Sequence, residues 1–274
     1  MKNLFSYQGK RCLITGCFSG MGEATARIVR SLGGEVVAVD VKKPSFDYAE
    51  YHEVDLRDFR AIDQLVARVA AGGPIDRLFY CAGLPGTFPP VDVMLVNFVG
   101  LRRTVEQCLP RMPRGGAAVT ISSAAGMAYP MAMANILPLL ELDDPATARA
   151  WIEKAVREPW FECYTFSKMC TILYTLRNGG RLTQQYGVRL NCISPGPTDT
   201  PMMPAFIEVA GAEFMQKYPK PIGRNSTAEE QGWVLAFLNS DAASYVSGEN
   251  VYTDGGTAGG IMTGGIAPPL PPAR

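Results

Sequence analysis

Thr15-Gly16-Cys17-Phe18-Ser19-Gly20-Met21-Gly22 is the stretch that decides the fold. It follows the apolar run 11–15 and precedes a segment of helical periodicity over 22–32. Glycines belong at such a strand-to-helix turn because the chain bends sharply there and its backbone must approach a pyrophosphate. The charge of that group is met by free N–H groups at the helix start. Gly16, Ser19, Gly20, Met21 and Gly22 are therefore expected to form the floor of a dinucleotide site.

Outward from this turn, β-like runs recur near 11–15, 35–40, 51–55, 75–81, 117–122, 188–193 and 249–253. Helical stretches alternate with them: Gly22–Leu32, Ala61–Ala71, Val91–Leu109, Tyr164–Tyr186 and Thr227–Leu238. The alternation predicts an α/β protein, a single-domain Rossmann-type doubly wound sheet of seven parallel strands with helices on both faces. The domain is expected over 1–260. A helical insertion should interrupt it at about 127–163, with Asp143 or Asp144 capping a helix that begins at Pro145. From Gly255 onward the chain is rich in Gly and Pro and reads as irregular, with 261–274 as a C-terminal tail.

Asp40 closes the second strand 24 positions after Gly16, near the distance at which an acid accepts hydrogen bonds from the adenosine ribose. Its carboxylate repels a 2′-phosphate, and Cys17, Phe18 and Ser19 supply no cation in the turn. Both features favour NAD over NADP as cofactor; the nearby Lys42 and Lys43 weigh the other way.

Composition narrows the remaining choices. Lys+Arg and Asp+Glu are both 26, so no global field recruits nucleic acid or an anionic membrane. Seven scattered cysteines without a CxxC pair read as reduced core thiols, and the single His52, a surface or strand-edge residue, argues against any metal site. The start MKNLFSYQGK has no long apolar signal region, and no eighteen uncharged apolar residues run together, so a cytoplasmic location is expected.

The ordered set of further motifs resembles the short-chain dehydrogenase/reductase family over nearly the whole chain. Beside the glycine turn stand Val96-Asn97-Phe98-Val99-Gly100, Ser122-Ser123-Ala124-Ala125-Gly126, Tyr164-Thr165-Phe166-Ser167-Lys168 and Asn191-Cys192-Ile193-Ser194-Pro195-Gly196-Pro197-Thr198-Asp199-Thr200. The resemblance implies a catalytic set of Asn97, Ser123, Tyr164 and Lys168, with Asn97 holding a proton relay for the lysine. It places Asp55 and Leu56 at the adenine, and Pro195, Gly196, Thr198 and Thr200, with Ile193, at the nicotinamide side. Tyr80-Cys81-Ala82-Gly83 departs from the family's Asn-Asn-Ala-Gly; Cys81 contributes no strong side-chain hydrogen bond, while Ala82 and Gly83 still admit the cofactor to the backbone.

The chemistry can be argued without the family. Oxidising an alcohol requires a base for the hydroxyl proton, and a tyrosine of ordinary pKa about 10 needs nearby positive charge to serve. Tyr164 and Lys168 lie at i and i+4 on one helix face, so an ammonium beside the phenol is expected to lower its pKa. Ser123 can hydrogen-bond the substrate oxygen.

Bacterial 3α-hydroxysteroid dehydrogenase/carbonyl reductases are the nearest subfamily by resemblance, through Cys81-Ala82-Gly83 and the insertion before Tyr164. Met202, Met203, Phe206, Ile207, Val209, Phe214 and Met215 suggest an apolar lid, and Met131, Met133 and Ile136 an opposing wall; ordinary core packing explains either set equally. The expected partner is a small apolar alcohol or ketone. Alternatives are a dehydrogenase of dihydrodiols, terpene alcohols or acyl-carrier ketones, a non-catalytic nucleotide sensor, or a scaffold that uses the insertion. The resemblance also implies a homo-oligomer, dimer or tetramer, joined through the helices near Asn97 and Tyr164.

Overall fold

Each of the seven apolar runs becomes a strand. In the computed structural model, which describes residues 3–269, β1 is Arg11–Thr15, α1 Gly20–Ser31, β2 Glu35–Asp40, β3 Glu50–Glu53, α2 Phe59–Ala71 and β4 Arg77–Tyr80. Then come α3 (Pro90–Met94), α4 (Leu101–Cys108), β5 (Ala117–Ile121), α5 (Met133–Leu140), α6 (Pro145–Ala155), α7 (Cys163–Tyr186) and β6 (Arg189–Pro195). The last part holds β7 (Thr198–Asp199), α8 (Met203–Ala210), α9 (Ala212–Lys217), β8 (Ser226–Thr227), α10 (Ala228–Asn239), β9 (Asn250–Thr253) and α11 (Thr257–Met262).

Seven of these strands pair in parallel in the order β3-β2-β1-β4-β5-β6-β9, while the two-residue β7 and β8 pair separately. His52 sits on the edge strand β3, 3.2 Å from the Glu50 carboxylate. Strands β1 and β5 are buried along their whole length, which is why they read as unbroken apolar runs. Successive residues serve opposite faces. Leu13, Val37, Leu78 and Leu190 pack under α2, α4 and α7, whereas Cys12, Ile14, Val36, Phe79 and Val119 pack under α1 and α10. The winding reverses between β1 and β4, and ligands of doubly wound sheets lie beyond the carboxyl ends at such a point.

Two regions differ from expectation. The stretch 91–109 is not one helix: a π-helical turn, Leu95–Gly100, separates α3 from α4, and Leu109–Arg111 forms a 3-10 turn. All six residues of the π turn are buried, so no amphipathic stripe records the change of pitch. The supposed irregular tail contains α11, whose start is secured by Asp254: its carboxylate accepts from the N–H groups of Gly256 (2.9 Å) and Ala258 (2.6 Å). The helix α11 ends at Met262; residues 263–269 of the expected tail form no regular element, and 270–274 lie outside the described residues.

The insertion is helical as expected. A 3-10 segment, Ala124–Ala132, leads to α5 and α6, and Asp144 caps α6 by accepting from Thr147 N–H at 2.9 Å. Ile136, Leu139 and Ile152 join the cluster that holds Phe98, Phe166 and Tyr174, so the insertion is continuous with the main core. Among the described residues no helix is long and apolar enough to cross a membrane.

Candidate active site

One cleft of about 870 Å³ runs along the carboxyl ends of the strands. At one end the turn after β1 enters α1. Gly16 has φ +69°, and a Cβ there would run into the backbone of Ala82; a Cβ on Gly22 would strike the carbonyl of Gly16. Both positions need glycine for the turn to close. Ser19 occupies the N-cap of α1 without a side-chain cap bond, so the first-turn N–H groups meet the cleft without a capping oxygen.

Asp40, at the end of β2, accepts from Phe18 N–H (3.0 Å) and Lys42 N–H (3.1 Å), which ties its carboxylate to the turn and leaves further lone pairs on the cleft. Lys42 Nζ lies 5.3 Å from the centre of the Phe18 ring. Asp55 is held on both oxygens by Arg57, whose other nitrogen donates to Asp92 at 2.7 Å. That guanidinium keeps the Asp55 carboxyl below the usual carboxylate range. Leu56, Cys81, Ala82 and Gly83 continue the wall. Free N–H groups, an acid with spare lone pairs and glycines that clear the floor fit a dinucleotide.

At the other end Ser123, Tyr164 and Lys168 converge. Ser123 follows β5 and its hydroxyl accepts from Ala125 N–H at 3.2 Å, close enough to the Tyr164 phenol to influence its acidity. Tyr164 and Lys168 share one face of α7, with Nζ 5.5 Å from the tyrosine ring centre and donating to the Ile121 carbonyl at 2.9 Å. The expected lowering of the phenol pKa by the ammonium does not dominate. Burial pushes Tyr164 up to about 12, eased by the nearby Ser123 hydroxyl, and burial pulls Lys168 down to about 8. Both groups are poor hosts for charge in a desolvated wall.

Asn97 is fully buried behind the cleft and does not line it. Its Oδ1 accepts from Leu84 N–H (2.7 Å), and its Nδ2 donates to the Leu84 carbonyl (3.0 Å) and to Ser167 Oγ (3.2 Å). The side chain thus clamps the 83–84 loop to α7 beside Lys168. Gly83 stands between them: a Cβ there would be 3.5 Å from Asn97 Oδ1 and 3.9 Å from Lys168 Nζ.

Pro195, Gly196, Thr198 and Thr200 line the cleft where β6 ends. Gly196 packs so closely on Asp254 that a Cβ would lie 2.9 Å from Asp254 Cβ, and Thr198 Oγ1 donates to the Gly196 carbonyl at 3.0 Å. Ile193 does not border the cleft; it is fully buried with Val119 and Leu235 on the face of the sheet under α10. Met202, Met203, Phe206, Val209, Phe214 and Met215 do line it, and the Phe206 ring meets Tyr164 edge-on at 5.1 Å. Ile207 is turned outward, at 40% exposure. The opposing wall expected from the insertion is absent: Met131 is 86% exposed, Met133 39%, and Ile136 lies in the core. Gly86, Phe88, Met127, Glu162 and Thr165 line that side instead. The cap position of Glu162, two residues before Tyr164, was a signal open to sequence reading; Gly86 and Phe88 carried none.

The seven cysteines are free thiols, and all but Cys81 are buried.

Residues 10–135 match the family described as short chain dehydrogenase, and residues 150–258 the one described as Enoyl-(Acyl carrier protein) reductase. The chain is 34% identical to a 3-alpha-hydroxysteroid dehydrogenase/carbonyl reductase of Comamonas testosteroni, over 89% of this chain and 95% of that one. A solved 3-alpha-hydroxysteroid dehydrogenase from a Pseudomonas species, complexed with NADH, superposes with a TM-score of 0.74 at 28% identity, covering 93% of this chain and 98% of that one. A coniferyl-alcohol dehydrogenase of a Pseudomonas species is 32% identical over 91% of this chain and 96% of its own length. Likeness of that extent to whole relatives, with the same sheet beneath it, means that the chain belongs to the short-chain dehydrogenase/reductase family.

Proposed function

We propose that this oxidoreductase moves a hydride between NAD and the carbinol carbon of an apolar secondary alcohol or its ketone, cyclic, steroid-like or aromatic, with Tyr164 as the proton donor and acceptor. The observation that carries the reading is a single cleft with a phosphate-ready turn and Asp40 at one end and Ser123, Tyr164 and Lys168 under apolar α8 at the other. The nicotinamide cofactor, when bound, supplies or takes the hydride.

The remaining work falls to the chain. The Ser123 and Tyr164 hydroxyls, which lie close together on the cleft, receive the substrate oxygen between them. With its pKa near 12 Tyr164 is protonated at neutral pH, poised to give its proton to a forming alkoxide. In oxidation the same phenol must lose that proton first, and Lys168, titrating near 8, is the charge that can favour its loss. Phe206 on Tyr164 and the methionines of 202–215 exclude water from the reacting carbon. Asp40 supports NAD over NADP because a 2′-phosphate would meet its carboxylate. The relatives named for coniferyl alcohol and 3-alpha-hydroxysteroids act on ring-bearing alcohols, which agrees with an apolar pocket. A homo-oligomer, by family membership, is part of the proposal and is read by light scattering.

Initial rates on a ketone panel test the reading. A cyclic or aryl ketone should be reduced with NADH far faster than a short polar ketone such as hydroxyacetone, and faster than with NADPH. Tyr164→Phe should lower turnover by about 10²–10⁴; unchanged turnover would remove Tyr164 as the proton donor, and no turnover of any ketone by the wild type would favour a non-catalytic nucleotide-binding protein.

A further inference from the structure

We infer that Glu162 is a specificity determinant, a fixed negative charge at the substrate end of the cleft that turns away alcohols and ketones bearing a carboxylate near the reacting carbon. The inference rests on the functional reading above and narrows its substrate class to molecules without a carboxylate near the reacting carbon.

The charged residues that line the cleft are Asp40, Lys42, Asp55, Arg57, Glu162 and Lys168. The first four gather at the end where the glycine turn lies, bound to that turn or to one another. Lys168 is 4% exposed and its Nζ is committed to the Ile121 carbonyl, beneath Tyr164. Glu162 is therefore the one exposed ionisable side chain lining the substrate end among the described residues. Apart from Lys168, held beneath Tyr164, no arginine or lysine lines that end among the described residues.

The glutamate cannot swing away at no cost. Oε1 accepts from Tyr164 N–H at 3.0 Å and Oε2 from Thr165 N–H at 2.7 Å, capping α7. The facing loop passes close by: a Cβ on Gly86 would lie 3.7 Å from Glu162 Oε1, 3.8 Å from Tyr164 Cβ and 3.8 Å from Val209 Cγ2. A substrate that enters between the Gly86 loop and α8 to reach Tyr164 passes this carboxylate. Like charges about 7 Å apart, at an effective dielectric between the protein's 20 and that of water, disfavour binding by about tenfold. The positive end of α7 offsets part of the field, so tenfold is the upper expectation.

The test compares two ketones of one skeleton, 4-oxocyclohexanecarboxylate and its methyl ester, with the full chain and NADH. The wild type should prefer the ester in kcat/KM by up to about tenfold, and the preference should shrink as salt rises from 20 to 500 mM. Glu162→Gln, which can still accept one cap bond, should lose most of the preference through a gain on the acid. Glu162→Asp, charged and able to cap, should keep it. Equal turnover of acid and ester by the wild type, or a preference that Gln and Asp variants share, overturns the role of Glu162. Failure to reduce even the ester or any neutral ketone instead sinks the catalytic reading on which it rests.

Discussion

Replacing Lys168 by methionine should make the protein more stable and catalytically dead. The ammonium is 4% exposed and its pKa is pulled from the ordinary 10.5 to about 8 by burial. At pH 7 lysine is protonated in both folded and unfolded chains, so the fold carries the whole difference, about 3 kcal/mol. Methionine fills similar space without the charge. It also strips the Ile121 carbonyl of the 2.9 Å bond from Nζ, which costs about 1–3 kcal/mol if no other donor reaches that oxygen. The net gain is about 0–2 kcal/mol, or up to roughly 8 °C in Tm for a domain of this size.

The sign with pH follows from the depressed value. Between about 8 and 10.5 the unfolded chain holds a proton that the folded lysine has lost, so wild-type stability rises with pH across that window, and the burden returns as pH falls through 8. Other groups titrate there as well, among them tyrosines of the unfolded chain with their ordinary pKa of about 10, so the quantity to follow is the difference between wild type and Lys168→Met. Thermal melts without cofactor, at pH 7, 8, 9 and 10, should show the variant's advantage shrinking toward zero or reversing. A variant that melts below wild type at pH 7, or an advantage independent of pH, would refute the claim that this lysine is held in a costly, desolvated place.

Gly16→Ala should abolish NADH binding, read by fluorescence titration, and lower Tm by several degrees, because φ is +69° and the new Cβ meets the backbone of Ala82. Asn97→Ala removes two bonds to Leu84 and one to Ser167, and should cost about 2–3 kcal/mol in a denaturant melt while lowering kcat more than it raises KM. Asp40→Ala should raise the ratio of NADPH to NADH turnover by about tenfold or more; an unchanged ratio removes the argument for NAD from this carboxylate.

What could be read from sequence follows a physical division. The strands were legible because a parallel sheet covered on both faces demands unbroken apolar runs, as at Arg11–Thr15 and Ala117–Ile121. The cofactor turn and the Tyr164–Lys168 pair were legible because each is a local geometry: a bend that only glycine closes, and two side chains one helical turn apart. By contrast, Met131, Met133 and Ile136 are apolar alike in sequence, and only the docking of α5 decides that the first is exposed and the last is core. Ile193 likewise sits in a motif that touches the cleft, yet strand alternation points it at α10.

The same division explains the least expected parts of the site. Asn97 lies on a π turn whose residues are all buried, and its use as a clamp for Leu84 exists only once the 83–84 loop has folded onto it. Glu162 reads locally as a cap for α7, which it is. Its second part in the site arises because the Gly86 loop and α8 close around it from distant positions in the chain. Chemistry that needs a particular pair of side chains leaves a spacing in the sequence. Selectivity that needs only a charge of the right sign near a passage leaves none, because many positions on several elements could have supplied it. Substrate class in a fold of this kind is therefore to be sought among cap and loop residues around the helix that carries Tyr164, where one carboxylate can change what enters.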